Sequence, residues 1–203
     1  MKKNFIPALL ATTFLLAGTI IAVSGRSVEG EVPAPPAIGS TLDDFTLPDG
    51  NGKEHSLASL KGKNGAVLIF VAVQCPVSNA YNERMEKLAQ EFKARGINVI
   101  GINANAAETA EAVKAHATER KLTFPILKDP GNKIADRLGA TVTPEAYFID
   151  SSNKLLYRGR IDNSRNDAQV SSSELRDALE AGLAGKPITK TTANAFGCSI
   201  KRG

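Results

Sequence analysis

Only two cysteines, two histidines and two methionines occur in the 203 residues, and they are scattered along the chain. A zinc or copper centre needs several thiolate or imidazole ligands close together, so neither metal nor other cofactor is expected. Long basic blocks are missing, as is any run in which aromatic residues alternate with arginine, which excludes a nucleic-acid surface. The formal charge of +4 includes Lys2 and Lys3, leaving about +2 on the rest of the chain. No repeat or low-complexity block interrupts it, and a hydrophobic content of 42% with 23% charged residues suits one soluble domain with a full core.

The first residues read MKKNFIPALLATTFLLAGTIIAVSG: two lysines, an apolar run from Phe5 to Val23, then small residues. This is the layout of a secretory signal over residues 1–25, with a small-x-small site at Ala22, Val23 and Ser24 or one residue later. The run also approaches the length of a bilayer span, so an uncleaved anchor is the alternative and the only route to a membrane. No cysteine near the cleavage region offers a lipid attachment point. The folded part is therefore expected outside the cytoplasm, in a bacterial periplasm, where thiols can become disulfides.

Residues 26–37 are polar and proline-rich and read as a linker. The folded domain is expected over residues 38–186, followed by a tail, 187–203, that carries Cys198. PDGNG in FTLPDGNGKEHSL predicts a hairpin. The continuously apolar Ala66 to Val73 predicts a strand buried on both faces. Helical spacing of Tyr81, Met85, Leu88, Ala89 and Phe92 predicts a helix from Ser78 to Arg95. Strands follow at 97–103 and 123–127 and helices at 107–120 and 132–139. EAYFID and KLLYRGRI then read as an antiparallel pair, and a last helix covers 172–185. Buried strands alternating with helices predict an α/β fold with a mixed central sheet flanked by helices.

The chemistry concentrates at VQCPVSNAYNERM. Cys75 falls where a strand gives way to a helix, a place where free backbone N–H groups favour a thiolate. Pro76 suits the first helical position, and the Ser78 hydroxyl is placed to donate to the sulfur. A buried, unreactive cysteine is the other reading of the same residues. Glu83 and Glu145 are candidate proton acceptors, Glu145 being preferred because it follows Pro144. His55, His116, Arg84, Arg158 and Arg160 read as surface or partly packed side chains. Only if its helix turned inward would Arg84 approach the thiolate.

The order of these features resembles the thioredoxin-like superfamily, in its extracytoplasmic redoxin branch related to peroxiredoxins (AhpC/TSA) and TlpA-type proteins. The likeness rests on IGSTLDDFTLPDGNGKEHSLASLKGK leading into a buried strand, on Cys75 at the strand-to-helix turn, on FPILKDPGNKIADRLGATVTPEAYFID, and on YRGRID. It implies a thioredoxin-like fold, Cys75 as nucleophile, a cis peptide at Pro144, and Thr143 facing the sulfur and offering backbone hydrogen bonds to a bound thiol substrate. Pro76 and Ser78 would line the same place. Two departures stand out. CPVS lacks the second cysteine of C-x-x-C, and Leu68 and Ala72 occupy the Pro and Thr positions of the peroxiredoxin pattern P-x-x-x-T-x-x-C.

Cys198 lies 123 positions beyond Cys75, between the apolar Phe196 and Ile200. In an exported chain with two cysteines, pairing them is the simplest account. A bond closing such a loop is worth about 4 to 5 kcal/mol on the chain-entropy model, which suits a permanent staple as well as a redox pair whose tail moves. An unpaired or intermolecular Cys198 is the third arrangement. The expected function is an exported thiol-disulfide oxidoreductase in which Cys75 attacks and Cys198 resolves. Its partners would be protein or small-molecule thiols and disulfides, with an external thiol reductant. A thiol peroxidase acting on peroxide, and a non-catalytic binding module with a structural disulfide, are the alternatives.

Overall fold

A computed structural model describes Met1 and residues 33–203; apart from Met1, the proposed signal or anchor and residues 26–32 of the linker lie outside the described residues. A hairpin comes first. Strands β1 (Thr46–Pro48) and β2 (Glu54–Ser56) pair antiparallel around the PDGNG turn, and Ser56 caps the short α1 (Leu57–Leu60). The apolar run becomes β3 (Gly65–Phe70), buried at all six positions. After it come α2 (Pro76–Ala80), α3 (Asn82–Ala94), β4 (Ile97–Asn103), α4 (Ala110–Glu119), β5 (Ile126–Lys128) and α5 (Lys133–Leu138). The chain continues through β6 (Val142–Thr143), β7 (Glu145–Asp150), β8 (Leu155–Gly159), α6 (Glu174–Leu183), β9 (Thr192–Ala193) and β10 (Cys198–Ser199).

Across the sheet the strands run β5, β4, β3, β7, β8, β9. β4 lies beside β3, where the Val71 N–H donates to the Ile102 carbonyl at 2.9 Å. β4 and β5 are parallel, β7 is antiparallel to both β3 and β8, and β9 is parallel to β8. Because side chains alternate across a strand, Val67 and Ile69 enter a core with Met85, Phe92, Phe148 and Leu179, beneath α3, α4 and α6. Leu68 and Phe70 enter the opposite core with Ile102, Leu127, Leu138 and Tyr147, under α1 and α5. The result is a mixed central sheet flanked by helices, a thioredoxin-like α/β fold.

Several local expectations differ. The helix expected over 78–95 is two helices broken at Tyr81, whose backbone N–H returns to the Ser78 carbonyl while its hydroxyl donates to Asp162 at 2.8 Å. The break turns a buried ring inward and satisfies its hydroxyl in one move. β5 starts at Ile126 rather than Thr123, since Pro125 has no N–H to offer a ladder and Thr123 instead bonds the Glu86 carboxylate. Residues 187–203 form two strands. β9 lies so close to β8 that a Cβ on Gly159 would come within 1.9 Å of the Ala193 carbonyl oxygen. Among the described residues no helix is long and apolar enough to cross a membrane.

Candidate active site

β3 ends at the same edge of the sheet as β4, and Cys75 follows as the N-cap of α2. With φ −86° and ψ 113° it is still extended, and its sulfur accepts the Ser78 backbone N–H at 3.2 Å. Pro76 takes the first helical position, exposed, where a missing N–H leaves nothing unpaired. Cys75 is only 3% exposed. As a thiol it donates to the Thr143 carbonyl at 3.3 Å. Thr143 and Pro144 are joined by a cis peptide, and the Thr143 hydroxyl is buried with no conventional hydrogen-bond partner. The Ser78 hydroxyl does not serve the sulfur: it accepts the Ala72 N–H at 3.2 Å, tying the loop after β3 to the helix, and only its backbone touches Cys75.

The second thiol arrives from the tail. β10 pairs antiparallel with β6, Cys198 opposite Thr143 and Ser199 opposite Val142, and the Ile200 N–H extends the ladder to the Thr141 carbonyl at 2.9 Å. On its other side the tail is held by the Ala106 N–H to the Lys201 carbonyl and by the Lys201 N–H to Asn105 Oδ1, both 2.8 Å. Arg202 bonds Asp136 at 2.9 Å and the Ala140 carbonyl at 2.8 Å. A redox pair is expected to have a tail free to swing; here the tail is pinned on both sides with Cys198 already at Cys75. Glycine is required just before Cys198, because a Cβ on Gly197 would fall 1.9 Å from the Thr143 carbonyl oxygen.

Both cysteines are free thiols, Cys75 buried and Cys198 half-buried. Burial pushes the Cys75 pKa up, but the neighbouring Cys198 thiol and the Ser78 N–H outweigh it and hold it below the ordinary thiol value. Cys198 moves the opposite way, raised by its bond to Cys75, by burial and by the neighbouring charge, with the Val77 N–H opposing. Of the two, Cys75 is the more acidic thiol. A cavity of about 280 Å³ opens beside them, lined by Gln74, Asn105, Glu108 and Lys201 as well as the two cysteines.

Glu108 is the site residue that sequence reasoning passed over. It is buried at 3% exposure and accepts the Val73 N–H at 3.0 Å, the Gln74 N–H at 2.9 Å and the Asn103 side chain at 2.5 Å. Burial pushes its pKa up, yet these bonds, with the Asn103 side chain the largest contributor, bring it below the ordinary carboxylate value. An ionised carboxylate thus fixes the loop that carries Cys75. Its signal was positional: loops that follow neighbouring strands converge at the C-terminal edge of an α/β sheet.

Glu145 does not reach the sulfur. Its carboxylate accepts the Thr141 and Val142 N–H groups at 3.0 and 3.4 Å and the Tyr147 hydroxyl at 3.0 Å, so it caps the turn into β6. Glu83 pairs with Lys87 at the surface, at 2.8 Å. Arg84 bonds Asp162 at 2.6 Å and lies 3.8 Å over the Tyr81 ring, which in turn meets Phe196 of the tail edge-on. Arg160 pairs with Glu174, and His55 with Asp49 at 3.0 Å. His116 faces Asn82 at 3.3 Å. Among the described residues, no three or more His, Cys, Asp or Glu side chains converge as a metal site.

Four likenesses accompany this geometry. The sequence model described as the AhpC/TSA family matches residues 38–158. Over 119 residues the chain is 32% identical to the thiol-disulfide oxidoreductase ResA of Bacillus thuringiensis (strain Al Hakam), covering 59% of this chain and 67% of that one. It is 31% identical over 131 residues to the chloroplastic peroxiredoxin Q of Sedum lineare, covering 60% and 69%. Among solved structures, a hypothetical protein of Sinorhizobium meliloti 1021 superposes with a TM-score of 0.77 at 31% identity, over 84% of this chain and 97% of the other.

Proposed function

Because the chain belongs to the AhpC/TSA family, we propose that it is a thiol-disulfide oxidoreductase whose redox couple is Cys75 with Cys198. In the reduced state Cys75 is the more readily ionised thiol and Cys198 the less. Oxidation removes two electrons and two protons and joins the sulfurs, while a partner disulfide becomes two thiols. The pairing of Cys198 with Thr143 carries this reading, since it delivers a second thiol to Cys75 where Ser78 stands in place of the C-x-x-C cysteine. Partners are thiols and disulfides of proteins or small molecules, with an external thiol as electron source. The N-terminal pattern of residues 1–25 supports export, and protease accessibility in intact cells tests that.

The test of the couple is intact mass after alkylation across graded glutathione or dithiothreitol buffers. No alkyl group should add to the oxidised chain and two to the reduced one, with a midpoint above about −300 mV. A lower midpoint would make the bond a staple, favouring a binding module; two reactive thiols under all oxidising conditions would refute the pair.

Peroxidase activity is a second reading, favoured by the peroxiredoxin Q likeness. Against it, Ala72 at the Thr position of the peroxiredoxin pattern carries no hydroxyl to orient a peroxide. Stopped-flow oxidation by hydrogen peroxide no faster than that of a free thiol removes it.

A further inference from the structure

Two sulfurs in a disulfide are not equally open to attack. A thiolate displaces the far sulfur along the line of the S–S bond, so it must arrive at the attacked sulfur from the side opposite its partner. Cys75 leaves little room for such an approach: the residue is 3% exposed, its sulfur contacts the Ser78 N–H at 3.2 Å and the Thr143 carbonyl at 3.3 Å, and the cavity it lines is the one shared with Cys198. Cys198 is half-buried and faces that cavity from the outer strand, and Gly197 and Ser199 on either side of it are exposed. The strand position beside Thr143, where a partner's backbone would have to pair to reach Cys75, is filled by β10 itself.

We propose that thiol partners exchange with this protein through Cys198, with Cys75 as the internal, leaving thiolate. The proposal rests on the reading of the two cysteines as a redox couple and assigns the direction in which that couple is opened. A partner thiolate attacks Cys198 Sγ. A bond forms between the partner's sulfur and Cys198, the Cys75–Cys198 bond breaks, and its electron pair stays on Cys75 Sγ, which the Ser78 N–H receives. The partner's second thiol, after losing its proton, attacks the partner's own sulfur and releases Cys198. The partner dithiol is oxidised to a disulfide, the protein disulfide is reduced, and the two partner protons end on the protein's thiols and thiolates or in solvent. By microscopic reversibility, a substrate disulfide is first opened by Cys198, and Cys75 then attacks Cys198 Sγ and expels the partner. This inverts the order expected from the sequence, in which Cys75 meets the substrate.

The shifts in thiol acidity work with the geometry in the reductive direction, because the sulfur that leaves is the one better able to carry charge. In the oxidative direction they oppose each other: ionisation favours Cys75 and access favours Cys198. That conflict makes the proposal testable.

Oxidised full-length protein is mixed with excess glutathione as a monothiol probe, quenched with acid within the first tenth of the reaction, alkylated with N-ethylmaleimide and digested with trypsin. Cys75 and Cys198 fall on separate peptides, residues 64–84 and 191–201. Glutathione is expected on the 191–201 peptide, and the alkyl group on the 64–84 peptide, in about tenfold excess over the reverse pattern. Equal labelling, or glutathione mainly on Cys75, overturns the proposal. As a second measurement, Cys75→Ser and Cys198→Ser chains are oxidised with glutathione disulfide. The remaining Cys198 should react faster than the remaining Cys75, each compared at a pH where its thiol is fully ionised, and a faster Cys75 again overturns the proposal. If the starting protein takes up two alkyl groups without any reductant, the redox-couple reading has failed instead, and the single-cysteine rates still rank the two sulfurs for outside partners.

Discussion

Gly197→Ala should change the reduction potential while leaving the domain folded. The backbone φ at Gly197 is not in the left-handed region, so alanine's cost is purely steric. Its Cβ would lie 1.9 Å from the Thr143 carbonyl oxygen, 2.7 Å from the Thr143 carbonyl carbon and 3.3 Å from the Pro144 nitrogen. All three are backbone atoms of β6 and the turn into β7, so none can rotate away, and β10 must lift. Lifting exposes Ile200, now 5% exposed, which is worth about 2 kcal/mol of apolar burial. The main cores do not depend on β10, so reduced protein keeps its fold. The disulfide, however, needs the tail docked. Weakening docking by about 2 kcal/mol lowers the equilibrium constant for closing the bond about 30-fold and raises the midpoint by about 45 mV. A glutathione titration read by alkylation and intact mass measures it. A midpoint within about 10 mV of the parent in a folded Gly197→Ala chain would show that docking does not set the couple.

Two further outcomes follow from the charges. In the reduced protein, alkylation of Cys75 should reach half its limiting rate at a pH below the ordinary thiol range, and Cys198→Ala should move that point upward, because the Cys198 thiol is the largest donor to the Cys75 sulfur; no movement in a pH series read by peptide mass would refute the assignment. Glu174, buried against Arg160 and Lys190, is held by the Arg160 hydrogen bond at a pKa of about 2 against an ordinary 4.5. A lowered folded-state pKa stabilises above the unfolded value and fades as pH falls, so Glu174→Gln should cost about 2 kcal/mol at neutral pH after allowance for the exposed Lys190. That difference should close between pH 4.5 and about 2, and parallel urea curves at both ends check it.

Much of the fold was legible because its signals are local. The strand expected at 97–103 is β4 and EAYFID is β7, residue for residue, since continuous apolar runs between turn residues leave little choice. Gly139 ends α5 in the left-handed conformation, as its place after NKIADRL suggests. What escaped depends on partners far away in sequence. β10 is two residues long and becomes a strand only by meeting β6. Glu108 reads as the first turn of a helix, yet the helix starts at Ala110, and the carboxylate goes to amides of the Cys75 loop. Adjacency to Pro144 suggests a place near the sulfur for Glu145, but residues that alternate along a strand leave opposite faces, and its neighbours Thr141 and Val142 claim it first.

The replacement of a helix-borne second cysteine by a tail-borne one alters what controls the couple. Two thiols on one helical turn keep their spacing whenever the helix exists. Here the spacing is tertiary: Phe196 packs against the core under α3 and α6, Ile200 enters the core on the opposite face of the sheet, and Cys198 is held between these two anchors. Gly197 supplies the close backbone approach that lets both seat at once. Linkage then runs both ways. Whatever loosens the docked tail makes the disulfide easier to reduce, and closing the disulfide stabilises the docked tail by the same free energy. The less buried cysteine in this arrangement is the one on the tail, so on the proposed order of exchange the elements that set the potential are also those that a thiol partner meets first.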